Sequence, residues 1–208
     1  GLGIVKEMQQ KADWTGNEKE KERCGTAINM AFDGLDRSVS IVKALMTFSH
    51  KGGSKVVESD LHEIIDNTLM FLKSRISNDI QIIKQYDLDI RVPLFPEKIH
   101  QVVMNLLNNA IFAVYQEPSR PKIIRISTGR RGPGFFMAFS NTGPPIEKEH
   151  IKQLFDPFFT TKDPGEGTGL GLSISYTLIE EHHGKIKVEN TPDGVSFKVI
   201  IPLQKKKI

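Results

Sequence analysis

Three glycines at alternate positions, Gly167, Gly169 and Gly171, stand directly before an apolar helical pattern in the stretch GEGTGLGLS. Glycine at this density costs backbone entropy, so the stretch is typical of a place where bare backbone must approach a ligand closely. The first N–H groups of a helix have no partner within the helix, and together with the helix dipole they bind anions. The spacing therefore indicates an anion site, although a single glycine-rich turn is weak evidence.

A pair of asparagines is the second feature that could do chemistry. Asn105 and Asn109 are four residues apart in a helix predicted over 97–116, so their side chains share one face. Asparagine is a mediocre helix former, and packing alone does not explain two of them among valines and leucines. Either these amides are buried with hydrogen-bond partners, or both are exposed, and the local pattern leaves both interpretations open.

Two loops follow this helix in the sequence. SNTGPPI, at 140–146, comes directly after a predicted strand; Gly143 permits a tight turn there, and two prolines stiffen the exit. LFDPFFTTK, at 154–162, has three phenylalanines in a segment too short and too proline-broken for a core helix. Each loop taken alone is an ordinary turn or an aromatic-anchored loop, so only the order of the four motifs is specific.

The remaining pattern predicts the elements that position these motifs. An amphipathic helix and the strand DIQIIKQY precede the asparagine helix, and the apolar face of the first helix is formed by Leu61, Ile65, Leu69 and Leu72. KIIRISTG and FFMAFSN form one predicted hairpin, and GKIKVEN with VSFKVIIPL forms another, turned at Asp193-Gly194. The predicted fold class is α+β, with an α/β sandwich whose mixed sheet has helices on one face.

Residues 26–49 carry the clearest periodicity in the chain. Apolar residues alternate there at spacings of four and three, which is a heptad seam, at Ile28, Phe32, Leu35, Val39, Val42 and Met46. An ordinary helix packed on a core would explain the seam, but two helices with a narrow seam bury little alone. We therefore expect 1–49 to be a helical hairpin that dimerises into a four-helix bundle, 50–59 to be a hinge, and 60–208 to be a second domain.

The composition narrows the classes of function. The chain has 208 residues, a formal net charge of +3 and basic residues spread along its length, so we expect no nucleic-acid partner. One cysteine excludes an internal disulfide, and no apolar run is long enough to span a membrane. We expect a cytoplasmic location. The chain begins with Gly1 and not with a methionine, so the possibility of an upstream segment that includes a membrane anchor stays open.

In this order the four motifs resemble the N, G1, F and G2 boxes of the histidine-kinase ATP-binding domain, whose wider superfamily includes DNA gyrase and MutL. The resemblance covers 60–203 almost continuously, and its most specific part is LFDPFFTTK followed by GTGLGLSISYTLIEEHHG. A dinucleotide-binding motif does not fit because no strand precedes the glycines, and a Walker A motif does not fit because no Gly-Lys-Ser/Thr follows them. The resemblance therefore implies ATP, bound with Mg²⁺.

The resemblance also implies roles for individual residues. Asn109 would offer its carbonyl oxygen to Mg²⁺, which takes few protein ligands, and Asn105 would support the same phosphate–metal cluster. The glycine-rich stretch would close over the phosphates as a lid, and Ile146 and Leu172 would help to wall the base. The implied nucleotide-binding residues are Asn105, Asn109, Asn141, Gly143, Ile146, Phe158, Lys162, Gly167, Thr168, Gly169, Leu170, Gly171, Leu172 and Ser196.

Some of these positions differ from what the family usually has. Asn141 stands where an aspartate usually accepts a hydrogen bond from the adenine amino group, and an uncharged amide should make that contact more weakly. Phe112 stands where a lysine is common, so Lys162 would have to supply that phosphate contact. Ser196 falls where the family often has a threonine near the adenine.

The position of Asn105 bears on what happens to the phosphate. Gyrase-like relatives hydrolyse ATP with a glutamate at this position, and an amide cannot act as a base. The resemblance therefore implies transfer of the γ-phosphoryl group to a nucleophile, with the site supplying position and charge neutralisation. We expect the kinase core of a two-component sensor histidine kinase, homodimeric through 1–49, with a response-regulator receiver domain as its partner. A nucleotide-binding interaction module and an anti-sigma-type serine kinase are the alternatives.

The chain does not contain the phosphoacceptor motif H-E-x-x-N-P-L in the expected place. His62-Glu63 imitates its beginning but lies on the first helix of the ATP-binding part, and we interpret the other histidines as solvated or capping residues. GLGIVKEMQQKA resembles the stretch that follows the phosphorylated histidine, with Leu2 at the leucine of that motif. We therefore expect the acceptor a few residues upstream of Gly1, and no catalytic residue within the chain.

Overall fold

A computed structural model of the chain describes residues 23, 25–28, 31, 34, 55–87, 91–163 and 167–203. The chain divides into two compact units, Gly1–Phe48 with Thr161–Thr168 and Ser49–Thr160 with Gly169–Ile208. The described residues between 23 and 34 are helical, in agreement with the helix predicted from 26 onward. Most of the heptad seam and the centre of the expected hinge lie outside the described residues. In the described part of the chain, no helix has the length and apolar character needed to cross a bilayer.

The second unit is built on a mixed five-stranded sheet. Its strands are β2 (Gln81–Tyr86), β4 (Ile123–Arg131), β5 (Gly134–Asn141), β6 (Lys185–Thr191) and β7 (Gly194–Pro202). They lie in the order β2-β4-β5-β7-β6, with β2 parallel to β4 and the other neighbours antiparallel. Both predicted hairpins are confirmed. The turn of the second hairpin is one residue earlier than predicted, because Gly194 already pairs with Thr191 as the first residue of β7.

A second, two-stranded sheet was not predicted from the sequence. Strand β1 (Val57–Asp60) pairs antiparallel with β3 (Arg91–Leu94). β1 therefore begins inside the segment 50–59 that the sequence pattern assigned to a hinge. The sequence signal for β3 was weak because Pro93 lies within it. Proline has no N–H group, so it is tolerated only at strand positions where no hydrogen bond from that N–H is required.

Four helices are described in full: α1 (Leu61–Phe71), α2 (Pro96–Tyr115), α3 (Lys148–Ile151) and α4 (Gly171–Glu181). Helix α1 begins where it does because the carboxylate of Asp60 accepts the N–H groups of His62 and Glu63, at 2.8 and 3.1 Å. Its predicted apolar face is confirmed, since all four residues are buried: Leu61, Ile65, Leu69 and Leu72.

The core lies between the helices and the sheet. Helix α2 packs against α1, α4, β4 and β5, and α4 packs against β6. Alternate residues of β5, namely Phe135, Met137 and Phe139, are fully buried, as the two-residue period of a strand requires. The predicted α+β class with a mixed sheet and packed helices is therefore confirmed, and α2 lies at its centre.

His62 attaches α1 to the sheet. Its Nε2 atom is hydrogen-bonded to Thr128 Oγ1 at 2.8 Å, and its ring stacks on that of Tyr86 with centroids 4.1 Å apart. Asp66, one turn along α1, accepts hydrogen bonds from Lys84 Nζ and the Tyr86 hydroxyl, both at 2.7 Å. These contacts give His62 a structural role, in agreement with the interpretation that it only imitates the acceptor motif.

Candidate nucleotide-binding site

Asn105 joins the asparagine helix to the glycine-led helix. Its Nδ2 atom donates to the backbone oxygen of Gly171 at 2.8 Å and to Ser175 Oγ at 3.1 Å. Ser175 Oγ in turn donates to the same Gly171 oxygen at 2.8 Å. Asn105 is therefore a partly buried amide with defined partners, which excludes the interpretation that both asparagines are exposed. Ser175 was missed, although its spacing of four from Gly171 places it over the same helical turn.

The amino end of α4 has the features of an anion site. The N-cap residue Leu170 makes no side-chain capping hydrogen bond, and the first turn of the helix contains no acidic residue. The nearest candidate cap, Ser173, turns its hydroxyl to the Leu170 carbonyl at 3.0 Å. A Cβ built on Gly171 would lie 3.6 Å from Cγ of Asn105, so α2 lies directly beside this end of α4. Uncapped N–H groups and the helix dipole both favour a negative group here.

Asn109 lies one turn further along α2, on the same face as Asn105. It is half-buried, and within the described residues its side-chain amide forms no hydrogen bond. Its neighbour Asn108 differs, because Asn108 Oδ1 accepts from Arg75 Nη1 at 3.2 Å. In the described part of the chain, no cluster of three histidine, cysteine, aspartate or glutamate residues could hold a metal. An unengaged amide oxygen fits Mg²⁺, which draws most of its ligands from phosphates and water.

Asn141 ends β5, with only 5% of its surface exposed. Its Oδ1 atom accepts the N–H of Gly143 at 3.0 Å, which closes the turn after the strand. A Cβ on Gly143 would lie 2.6 Å from the backbone oxygen of Ala113 in α2, so only glycine permits this approach. The turn and α2 are therefore in direct contact.

Ser196 does not join this group. The register pairs Ser196 with Ser140, and the two hydroxyls are 2.9 Å apart, so both side chains lie on one face of the sheet. Asn141, the next residue, points to the opposite face, where its cross-strand partner is Val195. Val195, which the sequence did not single out, is therefore the cross-strand neighbour of Asn141, and the expected contact of Ser196 with the nucleotide stays a prediction.

Ile146 is held by a residue that the sequence did not single out. Asn190 on β6 accepts the N–H of Ile146 at 2.9 Å and donates to its carbonyl oxygen at 2.7 Å. A single side chain thus ties the loop after β5 to the last strands of the sheet. No local pattern marks Asn190, because the contact depends on pairing between distant segments.

Phe158 and Gly169 touch through their backbones. Phe158 has φ of 68° and Gly169 has φ of 66°, and a Cβ on Gly169 would lie 2.3 Å from the carbonyl carbon of Phe158. The Phe158 side chain is 67% exposed, so the packing at this residue constrains its left-handed backbone and not its ring. The neighbouring Phe155 ring lies 5.6 Å from the ring of Tyr176 on α4.

The other predicted residues fall in two places. Leu170 is buried and Leu172 is half-buried at the start of α4. Lys162, Gly167 and Thr168 belong to the first unit, so the phosphate contacts expected of them stay predictions. The structure thus brings together the asparagine helix, the amino end of α4 and the turn after β5.

The described fold is a mixed sheet covered by helices, with an asparagine-bearing helix beside a glycine-led one, and it agrees with the comparisons with known proteins. The family model described as histidine kinase-, DNA gyrase B-, and HSP90-like ATPase matches residues 95–205. This match includes every element that forms the site and more than half of the chain. The chain belongs to that family, and its fold is that of a histidine-kinase-type ATPase domain.

Individual relatives agree with this assignment. TmoS, a sensor histidine kinase of Ectopseudomonas mendocina, is 30% identical over 196 residues, which are 91% of this chain and 20% of TmoS. The sensor histidine kinase ZraS of Escherichia coli (strain K12) is 28% identical over 205 residues, which are 97% of this chain and 41% of ZraS. The chain therefore spans less than half of the length of either relative.

Solved structures extend the similarity to the fold. The catalytic domain of histidine kinase ThkA matches 72% of this chain and 96% of that domain, with 36% identity and a TM-score of 0.65. Histidine kinase ThkA in complex with the response regulator protein TrrA matches 99% of this chain and 57% of that chain, with 31% identity and a TM-score of 0.73.

Two glycines of one motif should respond oppositely to alanine. Gly169→Ala forces a Cβ into the Phe158 backbone at a left-handed position, so we expect the free energy of unfolding to fall by about 1–3 kcal/mol. Gly171→Ala meets only ordinary contacts in a helix and should leave stability unchanged or raise it by up to about 1 kcal/mol. Urea unfolding of both variants measures this difference. Equal losses would contradict the contact between Phe158 and Gly169.

Proposed function

We propose that this chain is the ATP-binding part of a sensor histidine kinase and that it binds ATP with Mg²⁺ between α2 and the amino end of α4. The observation that carries the proposal is the Asn105 amide, which holds Gly171 at the start of α4 beside the helix that bears Asn109. An anion site and an unengaged amide oxygen lie at that junction, and a magnesium–triphosphate group needs both. Family membership supports ATP as the nucleotide.

Each part of the nucleotide would have its own contacts. The phosphates would lie against the first N–H groups of α4, and Asn109 would hold Mg²⁺ through its amide oxygen. The metal would supply charge neutralisation on the phosphate oxygens. Asn141 Oδ1 would accept a hydrogen bond from the adenine amino group. The oxygen has two lone pairs, and the N–H of Gly143 uses only one of them. Lys162 and Thr168 would add phosphate contacts, as the resemblance implies.

The same geometry favours phosphoryl transfer over hydrolysis. The amide nitrogen of Asn105 is committed to Gly171 and Ser175, and the side chain has no carboxylate with which to activate water. The acceptor would be a histidine upstream of Gly1, and residues 1–49 would form a dimeric four-helix bundle. A response-regulator receiver domain would then take the phosphoryl group, a proposal supported by the ThkA–TrrA complex. Because ATP is the substrate, the site would be cytoplasmic.

Neighbouring asparagines provide a matched test of the metal site. Asn109→Ala should weaken binding of a magnesium–nucleotide complex about tenfold or more, because it removes the metal ligand. Stability should change little, since no described residue bonds to the Asn109 amide. Asn108→Ala, on the same helix, should leave affinity unchanged because its partner is Arg75. Isothermal titration calorimetry measures both affinities, and equal effects at the two positions would count against the site.

Restoring a charge at position 141 should strengthen adenine recognition. Asn141→Asp keeps an acceptor for Gly143 N–H and makes the bond to the adenine amino group charge-assisted, so ADP should bind about three- to tenfold more tightly. Inosine diphosphate lacks that amino group and is the control ligand. Affinity for inosine diphosphate should not improve. An equal gain for both nucleotides would show that Asn141 does not read the base.

The class of reaction is tested on the chain extended by its natural upstream residues. Incubation with γ-labelled ATP should give an acid-labile label on the chain, and the extended Asn109→Ala variant should remain unlabelled. Acid-stable label on a partner serine would instead identify a serine kinase. Tight nucleotide binding without any transferred label would identify an interaction module. Absence of a histidine from the upstream residues would overturn the proposed acceptor.

A further inference from the structure

Helices α2 and α4 are joined a second time, at the ends remote from Asn105. His182, at the carboxyl end of α4, accepts the backbone N–H of Phe95 on its Nε2 atom at 3.2 Å. Phe95 is the residue from which α2 starts, and its own side chain makes no capping hydrogen bond. The Phe95 and His182 rings also meet edge to face, with centroids 5.1 Å apart. His182, expected from the sequence among solvated or capping residues, is only 7% exposed.

The two hydrogen bonds of His182 require one protonation state. Nδ1 lies 2.7 Å from the carbonyl oxygen of Leu178, and a carbonyl can only accept, so Nδ1 must carry a hydrogen. Nε2 faces an N–H group, so it must be the acceptor and carry none. The ring is therefore neutral and in the Nδ1–H form. A second proton, on Nε2, would place two donors against each other and remove the bond to Phe95.

The surroundings of His182 also favour the neutral ring. Burial lowers the pKa of His182 below its usual value; the Leu178 carbonyl and the Glu181 carboxylate oppose this, and Lys98 and His183 reinforce it. Lys98 lies on α2 and forms an ion pair with Glu181 at the end of α4, so these charged groups belong to the same junction. A histidine with a lowered pKa stabilises the folded state above its unfolded pKa, and this contribution is lost as the pH falls below about 6.5.

We propose that His182 is a positioning residue for the nucleotide site, and that its neutral ring sets how the glycine-led helix lies against the asparagine helix. The Asn105–Gly171 and Phe95–His182 contacts hold the two ends of α4 against the amino-terminal half of α2, so loss of one changes the geometry available at the other. Protonation of His182 releases the remote end and weakens nucleotide binding. This inference rests on the proposed function, since it concerns the affinity of that same site.

Three variants separate titration of His182 from a purely structural role. His182→Gln offers an acceptor near the place of Nε2 but does not titrate. His182→Phe keeps the ring edge and removes the acceptor. His183→Asn alters the exposed neighbour, whose left-handed φ of 55° suits asparagine. Affinity for magnesium–ADP is measured by calorimetry between about pH 7.5 and about pH 5, a range that extends well below the usual histidine pKa because the pKa of His182 is lowered.

Protonation of the nucleotide itself affects both proteins equally, so its effect cancels in the ratio of the wild-type affinity to the His182→Gln affinity. We expect this ratio to fall about fivefold between the two pH values, the effect of one hydrogen bond. Wild type should approach the affinity of His182→Phe at the acid end. Because His183 contributes to the lowered pKa of His182, His183→Asn should keep the fall in affinity and move it to slightly higher pH. A ratio that does not change with pH would overturn the inference. No binding by wild type at either pH would instead overturn the proposed function.

A measurement on the unaltered chain covers the case in which the variants fold poorly. Nitrogen-15 NMR of the imidazole distinguishes the two neutral forms from the charged ring. We expect the Nδ1–H form of His182 at neutral pH and its loss in the same range in which the affinity falls. Observation of the Nε2–H form, or of a charged ring at neutral pH, would overturn the inference.

Discussion

One side-chain amide on α2 fixes the amino end of α4. Asn105 donates to Gly171 and Ser175, and these bonds hold the start of the glycine-led helix against the helix that bears Asn109. A buried amide without partners is costly, so once the helices pack, Asn105 must find these acceptors. The same contact brings an uncapped helix end next to a free amide oxygen. The proposed metal and phosphate contacts both depend on this junction.

Close backbone contacts complete the site around that junction. Gly143 lets the turn after β5 approach α2, and Gly169 lies against the backbone of Phe158. Asn190 ties the loop at Ile146 to β6. Asn141 is positioned by the sheet, because it is the last residue of the central strand β5. The residues that would contact a nucleotide therefore come from separate segments of the chain. Several of them are held in place by residues that would not contact the nucleotide, as Asn190 holds Ile146.

The sequence predicted what local periodicity and turn chemistry control. The apolar face of α1, the asparagine helix and both hairpins follow from spacings within one segment, and they agree with the structure. The sequence did not show that Ser196 and Asn141 point to opposite faces of the sheet, because that depends on the register between two strands, and one residue along a strand moves a side chain to the other face. The pairing of β1 with β3, the Asn190 contact and the buried His182 were not predictable in this way. Each depends on residues far apart in the chain, and no local pattern marks them.

The central claim is that a magnesium–nucleotide complex lies at the junction of α2 and α4. A crystal structure with a non-hydrolysable ATP analogue and Mn²⁺ in place of Mg²⁺ tests it most directly, because anomalous scattering locates the metal. We predict the metal peak at coordination distance from the amide oxygen of Asn109, with phosphate oxygens against the N–H groups of Gly171 and Leu172. A metal bound away from α2, or a nucleotide that leaves the amino end of α4 untouched, would contradict the account.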